Sequence, residues 1–213
     1  MDISHAHKAC AAACGRVYTG TVGDQNSDPI KRVKESEPDP SSQPGRTQRT
    51  MRVMRPGVQL RLAQPGDAME IALMSRDLIE HGLAWSWTRT RVARSMSDRE
   101  TSALVAAAGR KLVGFAMMHF GDDHAHLNLF AVKPAYQRGG IGRAMLRWLE
   151  ESASAAGLTA IHLEVRLNNV SARRFYRCTG FQDVAVLPRY YSGVESALWM
   201  ARDIRVRAAS PST

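Results

Sequence analysis

The sequence predicts a mixed α/β domain: a mostly antiparallel sheet with one central parallel βαβ unit and helices on both faces. Three observations lead there. Residues 127–132 (LNLFAV) form a short apolar run suited to a buried strand. Downstream, Ile141, Met145, Trp148 and Leu149, with Ala144 beside them, recur on one helical face, and in residues 160–165 Ile161, Leu163 and Val165 share one side of a strand. Strand, helix, strand implies a right-handed crossover between parallel strands, whereas the remaining strand-like runs are separated by short turns and read as antiparallel pairs.

The chain has 213 residues and is 44% hydrophobic, enough for one good-sized domain with a tail. It contains no run of ~18 apolar residues, so no membrane span is expected. Residues 9–14 are too short and their flanks too polar for a secretory signal, which points to a cytoplasmic protein. The formal net charge is +9. Residues 55–213 carry 21 basic and 14 acidic side chains, a balance of +7, with scattered arginines and no interleaved aromatics. That pattern suits a solvated arginine-rich surface, able to attract an anionic cofactor, rather than a nucleic-acid interface.

Residues 1–54 differ from the rest. Residues 24–48 are dominated by Asp, Ser, Pro, Gln, Lys and Glu and cannot bury enough apolar area to offset their ordering entropy. The segment reads as disordered, or as a non-native extension upstream of a start at Met51 or Met54. Cys10, Cys14 and Cys178 are an odd set with no disulfide framework. His5, His7, Cys10 and Cys14 have soft-ligand spacing, but no apolar pattern surrounds them to close a zinc site, so no metal is expected.

The folded domain is expected over residues 55–205, with a flexible tail at 206–213. It opens on Val58–Leu62, a period-two strand. Pro65-Gly66-Asp67 turns the chain with Asp67 as N-cap, and a helix over residues 68–80 faces Met69, Ala72, Leu73 and Leu78 or Ile79 inward, ending at His81-Gly82. Trp85 and Trp87 follow in a loop, where large apolar side chains serve packing or a binding cleft equally well. A short helix is expected at 89–96. Strands follow at 102–107 and 111–120, joined by Gly109-Arg110, and Gly121-Asp122-Asp123 leads into a central strand at 124–132. His119, His124 and His126 gather near that turn. A histidine there can act as a base, but the sequence pairs none of them with a partner, and solvent-facing strand ends are the simpler reading. After Gly157-Leu158 come the strand at 160–165, a helix at 170–179 ended by Gly180, and a last antiparallel pair at 181–187 and 195–202, linked by a loop containing Tyr190 and Tyr191.

Between the central strand and its helix lies Gln137-Arg138-Gly139-Gly140-Ile141-Gly142-Arg143. A helix start offers unpaired N–H groups and partial positive charge, glycines let a bulky anion approach, and Arg138 and Arg143 add full charges. The stretch suits a phosphate or pyrophosphate. A P-loop would need Lys and then Ser or Thr after the last glycine, where Arg143 and Ala144 stand. A dinucleotide turn would need a third glycine where Met145 stands, although an acid, Glu164, follows at a fitting distance. A glycine-softened helix start without a ligand is the plain alternative.

Gln137-x-x-Gly140-x-Gly142 resembles the Q/R-x-x-G-x-G/A motif of the GNAT acyltransferases. Leu163-Glu164-Val165-Arg166, then Asn169, Ala172, Tyr176 and Gly180-Phe181, and finally Tyr190-Tyr191, resemble the ribosomal-protein-alanine N-acetyltransferase branch of that family over about residues 57–204. Two positions depart from the branch: Leu129 stands where it tends to have asparagine, with Asn128 one residue earlier, and Ala84-Trp85-Ser86 stands for Pro-Trp-Ser.

The resemblance implies acetyl-CoA as co-substrate and no metal. Its pyrophosphate would sit on Gln137, Arg138, Gly139, Gly140, Ile141, Gly142 and Arg143, and its thioester against the backbone of Phe130, Ala131 and Val132. Asn169 would meet the pantetheine arm or cap its helix. Glu164, at a strand end, can take the proton of an attacking amine, and Tyr176 can protonate the leaving thiolate. Trp85, Tyr190 and Tyr191 would line the acceptor side. The expected acceptor is the N-terminal α-amine of a protein or peptide, and the expected state a monomer or weak dimer. A small-molecule amine acceptor and a non-catalytic CoA-binding sensor are the alternatives, and the presence of both Glu164 and Tyr176 speaks against the sensor.

Overall fold

The computed structural model describes residues 51–52 and 57–205. The chain divides into units 1–45 and 46–213, and every described residue belongs to the second. The His5, His7, Cys10 and Cys14 cluster, the composition-biased segment and the tail at 206–213 lie outside the described residues.

Eight strands form one sheet: β1 (Met51–Arg52), β2 (Val58–Leu62), β3 (Thr101–Ala108), β4 (Lys111–Phe120), β5 (His124–Val132), β6 (Ala160–Arg166), β7 (Gln182–Tyr191) and β8 (Glu195–Asp203). Their order is β1-β2-β3-β4-β5-β6-β8-β7. Among the described residues only β5 and β6 pair in parallel. Among the described residues four α-helices flank the sheet: α1 (Ala68–Leu78), α2 (Arg89–Ser97), α3 (Ile141–Ala155) and α4 (Val170–Cys178). The expected mixed sheet with a parallel βαβ unit is what forms.

Two apolar layers sandwich the sheet. On one face Ile141, Met145, Leu146, Leu149 and Ala153 of α3 and Tyr176 of α4 pack on Ala116, Met118, Leu127, Ile161 and Leu163. On the other, Ala68, Ile71, Ala72 and Met74 of α1 and Val92 of α2 pack on Val105, Phe115, Met117, Leu129 and Ala131.

The buried face of α1 includes Ala72 as expected, with Leu78 and Ile79 packed against the same layer, but differs at its N-terminal turns. Met69 is 50% exposed, and Ala68, Ile71, Ala72, Met74 and Ser75 point inward. The inward face contains a polar residue, Ser75, whose hydroxyl donates to the buried Glu80 carboxylate at 3.2 Å. A reading by hydrophobic period alone rotates the helix away from such a face. The helix also stops at Leu78, two residues short of the expected end, because Glu80 turns into the core. Asp67 is the N-cap residue of α1, as expected, but its side chain makes no capping hydrogen bond to the helix. Its carboxylate accepts instead from the Arg61 guanidinium and from the backbone N–H of Gln64.

Two features of β5 shape the site. Met118 pairs with Leu127 and Met117 with Leu129, so Asn128 is the extra residue of a bulge. Leu127 therefore joins the α3 layer and Leu129 the α1 layer. The ladder between β5 and β6 runs only from His124↔Ala160 to His126↔His162, although β5 continues to Val132 and β6 to Arg166. Two parallel strands thus separate toward their C-terminal ends, the position where open α/β sheets hold ligands.

Candidate active site

The glycine loop closes the gap at the end of β5. Gln137 folds back, and its side-chain amide donates to the Val132 carbonyl at 2.9 Å. Arg138 (φ 63°) and Gly140 (φ 84°) both take left-handed backbone. At Gly140, which is the N-cap of α3, any Cβ would be strained by that φ even though nothing crowds it. Left-handed residues in a turn ahead of a helix start are the backbone setting in which successive N–H groups can hold an anion. Arg138 and Arg143 are exposed beside it, Gly139 lies between, and Ile141 is buried, so only its backbone faces the loop. A Cβ at Gly142 would stand 3.4 Å from Phe175 and 3.6 Å from Phe130. Asn169 is the N-cap of α4, its side-chain carbonyl accepting from Ala172 N–H at 3.0 Å.

Phe130 anchors the α3 side of the gap, its ring 5.7 Å from Phe175 and 6.3 Å from Tyr176. Tyr176 also packs edge-on against Phe181 and is buried, and that burial pushes its phenol well above the usual tyrosine range. The hydroxyl therefore stays protonated across the functional pH range.

The opposite face of the gap is polar. His162, Glu164 and Arg166 alternate with the core-facing residues of β6. His126 Nε2 lies 2.7 Å from Glu164 Oε2, with side-chain exposures of 19% and 10%. His124 stacks on His162 at 4.5 Å, and His162 leans on Trp199 at 5.5 Å. Burial first, and then the nearby His124 and His126, lower the His162 imidazole to about 4. Sequence reading left these histidines as strand-end polar positions. Their association depends on two strands lying side by side in one register, visible in sequence only as alternate positions of two strands expected to be parallel.

Arg166 ties this face to the loop between α1 and α2. It donates to the Glu195 carboxylate at 2.8 Å and to the His81 carbonyl at 2.7 Å. Within that loop Glu80 accepts from Ser86 N–H (2.7 Å), Ser86 Oγ (2.6 Å) and Trp87 N–H (3.2 Å). Sequence analysis missed both Glu80 and Arg166 as organisers of the site. Several of their partners are backbone groups, dozens of residues away for Arg166 and inside a loop for Glu80, and leave no mark in composition.

Of the two loop tryptophans, Trp87 packs on the α1 layer and Trp85 is exposed, donating to the Trp87 carbonyl under the Arg76 guanidinium. Tyr190 and Tyr191 fall inside β7, not in a loop as expected, because β7 resumes pairing at Tyr191↔Glu195 after a register shift. The Tyr191 hydroxyl donates to the Glu164 backbone carbonyl at 3.3 Å. Burial, then the neighbouring Tyr190, Glu164 and Tyr176, push that phenol far upward. Tyr191 thus stands near both Glu164 and Tyr176. Among the described residues no cluster of three or more His, Cys, Asp or Glu has metal-binding spacing, and no helix is long and apolar enough to cross a membrane.

The sheet thus opens between its two parallel strands, with a left-handed glycine turn at the mouth, the Glu164 carboxylate on one face and the Tyr176 phenol on the other. Residues 71–181 match the acetyltransferase (GNAT) family. The chain is 33% identical over 124 residues to the [ribosomal protein bS18]-alanine N-acetyltransferase of Escherichia coli strain K12, across 57% of this chain and 83% of that protein. It is 35% identical over 123 residues to an N-alpha-acetyltransferase of Mycobacterium tuberculosis, across 55% and 75%. The fold is similar to the crystal structure of the ribosomal-protein-S18-alanine N-acetyltransferase from Escherichia coli, with a TM-score of 0.60 at 26% identity, covering 73% of this chain and 99% of that one. The chain belongs to the GNAT acetyltransferase family and is an acyltransferase.

Proposed function

We propose that the protein transfers an acetyl group from acetyl-CoA to a primary amine, with Glu164 as base and Tyr176 as acid, and that the acceptor is the N-terminal α-amine of a protein or peptide. The observation that carries this reading is the gap between β5 and β6, with Glu164 on its α1 face and Tyr176 on its α3 face. The turn at Arg138 and Gly140, with the backbone N–H groups of Gly139, Ile141 and Gly142, fits the pyrophosphate. The part of β5 without a ladder partner toward β6, at Phe130, Ala131 and Val132, can receive the thioester oxygen on its N–H groups. Arg143 lies at the phosphate end. Asn169 retains its side-chain NH2 for the pantetheine arm while its carbonyl caps α4.

An acceptor arriving as an ammonium must first lose a proton, and Glu164 is the group placed to take it. The neutral nitrogen attacks the thioester carbon, the carbon–sulfur bond breaks, and Tyr176 delivers a proton to the departing thiolate. Over the cycle the nitrogen loses two protons; one ends on the coenzyme thiol and the other in solvent. A buried phenol is a reluctant acid, so its proton moves only as charge gathers on sulfur, whose thiol form ordinarily titrates near ~8.5. The α-amine assignment draws on the relatives named for that activity. Trp85, Tyr190 and Tyr191 flank the acceptor side.

Thiol release measured with peptides and with free small amines tests substrate and roles together. Tyr176→Phe keeps the ring and its packing and should lower turnover by roughly 10²–10⁴ with acetyl-CoA affinity retained. Glu164→Gln should be impaired most at low pH and recover near pH ~8–9 for an α-amine (pKa ~7.7–8.0), but not for a lysine (~10.4). Full turnover by Tyr176→Phe, once product release is shown not to limit the rate, removes the acid role. Turnover of small amines but of no peptide removes the α-amine acceptor.

A further inference from the structure

We infer that His126 and Glu164 accept the acceptor's proton as one unit, His126 being a positioning residue that also shares the proton through the Nε2–Oε2 contact. The inference rests on the proposed base role of Glu164 and adds the group that makes that base effective at neutral pH.

The geometry is specific. His126 is the last β5 residue paired with β6, so its ring stands where the strands begin to part, diagonal to Glu164 on the same face. The 2.7 Å contact lets the Nδ1–H tautomer of His126, whose Nε2 carries a lone pair, accept the proton that Glu164 Oε2 takes up. The other groups facing the pair are fixed. His162 lies beside His126 on β6 and is held neutral by burial. His124 is engaged in stacking on His162. His119, across β4 from His126, leans toward Asp98 and Glu100 at 3.7 and 3.8 Å. Arg166 is paired with Glu195, and Tyr191 donates to the Glu164 backbone. None of these bridges His126 to Glu164.

The chemistry explains why a second group matters. A carboxylate ordinarily titrates near ~4.3 and an α-ammonium near ~7.7–8.0, a mismatch of over three pH units for direct transfer. An imidazole, near ~6.5, narrows the mismatch to little more than one. A proton taken by the carboxylate and shared with the imidazole is held up to about a hundredfold better.

His126→Gln separates sharing from scaffolding. The glutamine amide can still donate to Glu164 Oε2, but it cannot accept a proton. Compared with wild type, His126→Gln should lose roughly 10–100-fold in kcat/KM on an α-amine peptide at pH 6.5 and converge on wild type above pH ~8.5, where the amine is already neutral. The acetyl-CoA-induced rise in Tm should be unchanged, which shows that the variant is folded and binds donor. Equal activity at every pH, or a pH-independent loss, overturns the inference. Glu164→Gln run in parallel keeps the two ideas apart. If it is impaired while His126→Gln matches wild type, the base stands and the shared proton falls; if Glu164→Gln is unimpaired, the base reading fails first. A second measurement needs no turnover. In protein labelled at histidine ring carbons, Glu164→Gln should move the pH at which the His126 resonance changes. Identical curves in both proteins would show that the pair does not share a proton.

Discussion

Glu80→Gln should loosen the loop that carries Trp85 and lower the stability of the enzyme measurably. The Glu80 carboxylate is buried and accepts from four donors at 2.6–3.2 Å: Ser86 N–H, Ser86 Oγ, Trp87 N–H and Ser75 Oγ. Glutamine has the same shape, but one of its two positions becomes an NH2 donor. Placed at Oε1 it confronts the Ser86 N–H; placed at Oε2 it confronts the Trp87 N–H. The serine hydroxyls can rotate to accept, but a backbone N–H cannot. Either rotamer therefore strands one backbone donor, at about 1–3 kcal/mol, and weakens bonds that had been made to a charge. A total near ~3 kcal/mol follows, which for a domain of this size is a fall of roughly 6–12 °C in Tm. Because the loop carries Trp85, on the proposed acceptor side, KM for the acceptor should rise, while the shift of Tm produced by acetyl-CoA, whose proposed site is the glycine loop, should persist. The assay is a thermal scan with and without acetyl-CoA, followed by peptide kinetics. Asp77→Asn serves as control, since Asp77 is an exposed acid paired only with its neighbour Arg76. A fall in Tm no greater than the control's, with KM unchanged, would refute the reasoning.

Two further outcomes follow from other parts of the site. Acetyl-CoA at a hundredfold excess over its Kd should stabilise the folded protein by about 2.7 kcal/mol, roughly 5–10 °C in Tm, and Gly142→Glu should abolish the rise by placing a carboxylate against the pyrophosphate and the Phe175 ring; a wild-type protein that shows no shift at millimolar acetyl-CoA would contradict the assignment of the loop. His162 titrates lower in the folded protein, about 4, than the ~6.5 of an unfolded chain, so the unfolded state binds more protons between these values. The stability it contributes is present above pH ~6.5 and lost as pH falls toward 4, roughly 1–2 kcal/mol after allowance for partial solvent screening. Denaturant unfolding across that range should show this slope in wild type and a flatter one in His162→Gln, and equal slopes would rule the origin out.

Much of the architecture was legible because local chemistry specified it. Strands β4 and β5 begin and end at the expected residues, since Gly109-Arg110 and Gly121-Asp122-Asp123 punctuate them. Helix α3 begins at Ile141 because Gly140 supplies a left-handed N-cap, and its buried face includes Ile141, Met145 and Leu149 as expected. Where polar groups are buried the local signal fails. Ser75 and Glu80 place polar groups on the inner face of α1 that a hydrophobic period does not show, and Asp67, at the N-cap as expected, turns its carboxylate to Arg61 and Gln64 instead of the helix.

By itself the sequence determined what is written in short-range pattern: the order of strands and helices, the glycine turn ahead of α3, and the residue types able to carry acyl transfer. Hydrophobic period and turn chemistry act over a few residues, so they can be read one segment at a time. Only the tertiary structure decided that β5 and β6 part after His126, that the bulge at Asn128 sends Leu127 and Leu129 to opposite layers, and that His126 meets Glu164 across 38 positions of chain. Those arrangements depend on strand register and on where buried polar groups find partners. Both are settled by packing the whole sheet at once, because each buried donor or acceptor must be satisfied by whatever the fold brings beside it.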